Sequence, residues 1–117
     1  MAPLVFFLVP DHPPTDISVL SLGTDEVQVQ WGPVPPENTN GEVLGYRVLY
    51  GNVNNTSRAN ITVESQEDTR LKIDGLRPDT NYSFQIRAFT GKGDGTSSTN
   101  YFAKTGIRVS KIACRTI

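Results

Sequence analysis

Few residues in this chain are equipped for bond-making chemistry. The one histidine, His12, and the one cysteine, Cys114, stand far apart in the sequence. No nucleophile–base pair is therefore suggested. The 12 acidic residues are scattered over stretches that read as loops and outward strand positions, which is the pattern of a solvated surface rather than a paired-carboxylate site. Gly91, Gly93 and Gly95 follow an apolar alternation but open no helix, so they are not a phosphate cradle. A lone cysteine also excludes an internal disulfide and a multi-cysteine zinc site. No catalytic residue, metal or cofactor is expected.

The residue patterns that remain belong to modification and recognition. Four Asn-x-Ser/Thr acceptor sites are present, at Asn54, Asn55, Asn60 and Asn81. Eight asparagines and 20 serines and threonines placed at random would give about 1.4, so four is a mild excess, and two of the four overlap. Lys92-Gly93-Asp94 places a cation and a carboxylate on a glycine turn, a pair able to bridge an acidic pocket and a metal ion. The plainer account of the glycines is that the turn needs positive φ. Arg47 and Arg87 lie at outward positions of two alternating stretches: two solvated strand faces, or a thin basic patch where the fold sets those strands side by side.

These residues are positioned by short strands. Leu76 to Thr80 reads as a turn in which Pro78 fixes φ and Asp79 and Thr80 can bond their own backbone. Tyr82, Phe84, Ile86 and Ala88 then alternate with Ser83, Gln85 and Arg87, as in a half-buried strand. A tyrosine opening such a strand can bury its ring and bond the preceding turn, the tyrosine corner of β-sandwiches. Similar alternation marks strands over 16–22, 27–31, 46–50, 59–63, 69–73 and 98–105. Seven short strands with turn signals between them, and no helical periodicity, predict an all-β sandwich. The proline-rich connection from Trp31 to Gly45 is too long for a tight hairpin, so Asn40-Gly41 is a local turn in a loop crossing between sheets. In the last strand the pattern leaves open whether Tyr101 or Phe102 faces inward.

With 117 residues the chain suits one domain. Its net charge of −1 gives no general pull toward nucleic acid, and no apolar run is long enough to span a bilayer. Leu4–Val9 is shorter than a signal-peptide apolar region and lacks a basic flank, so the start reads as a lead-in. Residues 106–117 carry three basic groups and no acid, whereas 1–105 carry 8 basic and 12 acidic groups.

The chain from about Pro13 to Thr105 resembles a fibronectin type III domain. The resemblance rests on Pro13-Pro14, Val29 with Trp31, Gly41 followed by Gly45-Tyr46-Arg47-Val48-Leu49-Tyr50, and Leu76, Pro78, Thr80 and Tyr82. Arg87-Ala88, Gly93, Gly95 and Thr105 complete it. The start and the Asn-Gly-x-x-x-Gly-Tyr run look most like modules of neural adhesion molecules and receptor tyrosine phosphatases. The resemblance implies a seven-stranded immunoglobulin-like sandwich with sheets A-B-E and C′-C-F-G. It implies that Trp31, Tyr46, Leu76, Pro78 and Tyr82 are structural, and that 1–12 and 106–117 flank a domain at 13–105. It implies a monomeric, non-enzymatic, extracellular or cell-surface glycoprotein module for adhesion or receptor proteins, acting as a protein-binding unit or spacer. Lys92-Gly93-Asp94 falls in the F–G loop, where some family members present an integrin motif, and the arginines suggest heparin. The alternative setting is an intracellular structural module of the giant muscle-protein type.

Overall fold

Alternation at period two forces each strand to put one set of side chains inward, and two such faces close on each other. A computed structural model describes residues 9–55 and 58–107 of the chain. The described strands are β1 (Thr15–Ser21), β2 (Val27–Gly32), β3 (Gly45–Asn52), β4 (Ala59–Val63), β5 (Arg70–Ile73), β6 (Asn81–Thr90), β7 (Gly93–Asp94) and β8 (Tyr101–Lys104). One sheet runs β1-β2-β5; the other runs β4-β3-β6, with β7 and β8 both paired to the far side of β6. Each of these pairings is antiparallel.

The core lies between the sheets. Val27, Val29 and Trp31 enter it from β2, Tyr46 and Val48 from β3, Ile73 from β5, and Tyr82, Phe84, Ile86 and Ala88 from β6. The edge of the Trp31 ring meets Tyr46 across the gap, centroids 5.3 Å apart at 61°. Tyr50 stacks on its cross-strand partner Phe84 at 6.0 Å. Burial holds the Tyr46 phenol above its ordinary pKa.

The turn before β6 closes the opposite end. The Tyr82 hydroxyl accepts a 2.9 Å hydrogen bond from the Arg77 N–H, which is the tyrosine corner. Thr80 Oγ1 donates to the Pro78 carbonyl at 2.8 Å. Thr105 is buried, and its hydroxyl accepts from the Thr80 N–H while donating to the Arg77 carbonyl. Leu76 is buried beneath this turn; Pro78 is half-buried within it.

Three features depart from the sequence reading. The last strand is not continuous over 98–105. Within that range only β8 is strand, and ahead of it Ser98 meets the middle of β6 by another route: its hydroxyl accepts the Ile86 N–H, and its own N–H donates to the Ile86 carbonyl. The glycine-rich segment is not only loop, since Gly93 and Asp94 pair with Thr90 and Phe89 around a two-residue turn. The third departure is at the start. Val9–Asp11, read as part of the flanking extension, is packed onto the domain. Pro10 is fully buried; its carbonyl accepts from Thr96 N–H, the Val9 carbonyl from the Asn40 amide, and Asp11 N–H donates to the Asn38 carbonyl. This strap ties the β2–β3 loop to the segment after β7. In β8, Ala103 faces the core, Tyr101 shares its face, and Phe102 is 63% exposed.

Trp31→Ala should cost about 3–5 kcal/mol as a large-to-small core change, a large part of a typical domain stability of about 5–15 kcal/mol. The measurement is the urea midpoint, and an unchanged midpoint would contradict the core assignment. Two glycines give a sharper contrast. A Cβ on Gly45 would collide with the Val63 carbonyl oxygen and sit 3.0 Å from the Phe89 ring, whereas one on Gly91 meets nothing within 4 Å. Gly45→Ala is expected to destabilise by about 1–3 kcal/mol, and Gly91→Ala to stay within about 0.5 kcal/mol of the parent. Equal effects from the two would contradict the close packing of β3 on β4.

Candidate interaction surface

The outward residues of the larger sheet form a layered face. The β3–β6 register sets Arg47 directly opposite Arg87 and Leu49 opposite Gln85. On the other flank, β4 places Thr62 beside Arg47 and Asn60 beside Leu49. Like charges facing each other across strands repel, and the fold answers with Asp94. Its Oδ1 accepts from Arg47 Nε at 2.6 Å, and its Oδ2 lies 3.5 Å from Arg87 Nε. Arg47 also donates to Thr62 Oγ1 at 2.7 Å and lies 4.4 Å from the centre of the Phe89 ring. Arg47 is thus held on three sides.

Arg87 is held less well. Its Nε is buried with no hydrogen-bond partner, and 3.5 Å to Asp94 is long for a hydrogen bond though within ion-pair range. Two guanidinium groups share one carboxylate, so this spot keeps a positive surplus on a domain whose acids outnumber its bases.

This geometry bears on both recognition motifs. Lys92 is exposed in the β6–β7 turn, and the Asp94 carboxylate is engaged by Arg47 and Arg87 of the sheet. Gly93, at φ 141°, supplies the backbone that turns Asp94 in this direction. For heparin, Arg47 and Arg87 are neighbours, but Asp94 offsets part of their charge. Arg70 and Lys72 lie on β5, in the other sheet.

The four sequon asparagines are exposed. Asn54 and Asn55 are exposed in the β3–β4 turn; their acceptor partners Thr56 and Ser57 fall outside the described residues. Asn81 is exposed at the start of β6, and its carbonyl accepts from Val53 N–H, which brings it beside that turn. Asn60 is exposed on β4, the outer strand of its sheet. Cys114 lies outside the described residues. An open cleft of about 260 Å³ lies under the β2–β3 loop, among Pro33, Val34, Pro36, Val43 and Tyr46. Among the described residues, no three His, Cys, Asp or Glu side chains gather as metal ligands, and no helix is long and apolar enough to cross a membrane.

With the two sheets and this face in view, comparison with known proteins is direct. The family model described as "Fibronectin type III domain" matches residues 12–104. The chain belongs to the fibronectin type III family. In its lettering β1, β2 and β5 are strands A, B and E, and β4, β3 and β6 are C′, C and F, with G divided into β7 and β8. This fibronectin type III module is 36% identical over 97 residues to receptor-type tyrosine-protein phosphatase F of Danio rerio, covering 83% of this chain and 5% of that protein. It is 33% identical over 98 residues to cell adhesion molecule DSCAM of Homo sapiens, again 83% of this chain and 5% of the relative. The chain thus spans about one twentieth of the length of these relatives. Among solved structures it resembles the FN1-FN3 domains of chicken CNTN1, with TM-score 0.74 and 28% identity, over 83% of this chain and 31% of that one. The fn3 domain of human contactin 1 gives TM-score 0.76 at 26% identity, over 87% and 83%. Fibronectin type III domains are non-catalytic modules, and these relatives are adhesion and receptor proteins.

Sequence reasoning paired Arg47 with Arg87 but missed Asp94, Phe89 and Thr62 as their partners. The signal was available: a two-residue turn at Gly91-Lys92 returns Asp94 to pair with Phe89, next to the arginine row. Asp94→Asn should lower stability by about 1 kcal/mol at low ionic strength, the scale of a partly exposed ion pair. The loss should shrink in ~1 M salt, where screening is nearly complete over a few ångströms. Urea unfolding at both salt concentrations measures it; a loss indifferent to salt would show that charge is not its cause.

Proposed function

We propose that this fibronectin type III module is a non-enzymatic, extracellular interaction or spacer unit of an adhesion or receptor protein. The observation that carries the reading is the similarity, over 83% of the chain, to a receptor phosphatase and to DSCAM, each of which is far longer than the matched segment. The exposed sequons support it, because a glycan at each site projects into solvent. Their hydroxyl partners add a constraint on timing. Thr62 is taken up by Arg47, and buried Ser83 by Arg58. Glycans at Asn60 and Asn81 would therefore be attached before strands C, C′ and F close.

Mass spectrometry of peptides containing Asn60 and Asn81, from the protein in its source tissue and before and after glycan release, tests this reading. Modified asparagines are expected and would establish passage through the secretory pathway. Well-detected peptides carrying no glycan at either site would instead favour the intracellular structural setting.

A further inference from the structure

We propose that the outer face of strands C and F is a docking surface for an acidic segment of a protein partner, with Arg87 as the carboxylate receptor and Phe102 as an apolar anchor. The inference rests on the interaction-module reading and specifies its surface and the chemistry of its ligand.

Arg87 carries the argument. Arg47 is immobilised by Asp94, Thr62 and Phe89. Arg87 has only the loose Asp94 contact, made by its buried Nε, and its side chain keeps 27% of its surface exposed. The exposed part of a planar, always-charged guanidinium is suited to a carboxylate from outside. Arg47 beside it adds positive potential and cannot swing away to compete for the ligand.

The surroundings select the kind of acid. Phe102 stands on the same outward face, opposite Ser83 and four residues along β6 from Arg87, or about 13 Å at the rise of a strand. Half-buried Gln85 lies between them and Leu49 flanks it. An extended segment with Asp or Glu at one position and an apolar residue four further on would reach both ends. A sulfated polysaccharide fits less well. It binds through runs of cations, whereas here Arg47 and Arg87 share one aspartate, the third arginine of this face, Arg58, is bonded to Ser83 at the Phe102 end, and the domain as a whole is net acidic. Arginine and aromatic residues are also the types that anchor protein interfaces.

The test is an NMR titration of the full chain, following side-chain Nε–H and backbone amide signals. The probe is the capped pentapeptide Asp-Ser-Thr-Ser-Leu. Its Asn-Ser-Thr-Ser-Leu counterpart and a heparin tetrasaccharide are the comparison arms. Saturable shifts at Arg87 Nε–H and the Phe102 amide are expected with the acidic peptide, with at least fivefold weaker binding for the asparagine peptide. Arg87→Gln should abolish the Arg87-dependent binding while keeping a dispersed, folded spectrum. Arg87→Lys should weaken it, since charge remains but the fork is lost. Absence of shifts at Arg87, equal binding of both peptides, or stronger binding of the tetrasaccharide at the same residues would overturn the proposal. Each of those results would leave the glycan evidence, and the module reading it tests, unaffected.

Discussion

Eight consecutive residue pairs join β3 to β6, from Gly45 opposite Phe89 to Asn52 opposite Tyr82. Side chains alternate across a sheet, so this one register decides both of its faces. Inward, it lines up Tyr46, Val48 and Tyr50 with Ala88, Ile86 and Phe84, the wall against which Trp31 packs. Outward, it sets Arg47 against Arg87. A slip of one residue would bury the arginines and expose the aromatic rings. The core and the charged face are therefore not independent: the hydrophobic pairing that stabilises the sandwich also creates the electrostatic problem that Asp94 relieves.

Strand alternation makes most of the fold legible in the sequence. Val27, Val29 and Trp31, and then Tyr82 to Ala88, repeat at period two with little interruption, and such runs have one sensible arrangement. The proline-rich stretch after Trp31 correctly signals a crossing between sheets. The last strand is harder. Ser98 looks like an ordinary polar strand residue, yet its hydroxyl replaces a backbone acceptor for Ile86. Nothing in the local pattern distinguishes a serine that joins a ladder from one that caps it.

The face is half legible for a related reason. Outward positions of C and F can be read from alternation, and their adjacency from the family. The partners of the arginines depend on where a turn returns the chain, and that is a long-range fact. Asp94 is 47 residues from Arg47 in sequence and 2.6 Å from it in space. Its place in a Lys-Gly-Asp tripeptide points to the loop tip, while the fold holds its carboxylate against the sheet. Asn60 and Asn81 lie on strands of that same sheet. A glycan at either site would share one side of the module with the proposed docking face.

The strap at Val9–Asp11 has a mechanical consequence. It fastens the incoming chain to the B–C loop and to the segment between β7 and β8, while at the far pole Gly106 is fastened by its N–H to the Gly23 carbonyl and by its own carbonyl to the Asp79 N–H. Tension applied through the two chain ends would enter at one pole and leave at the other. Before it could peel β1 or β8 from its sheet, it would have to break these end clasps. Resistance to pulling is set by the unfolding barrier rather than by equilibrium stability. A few hydrogen bonds outside the sheets, together with one buried proline, thus guard the route by which force would open the sandwich.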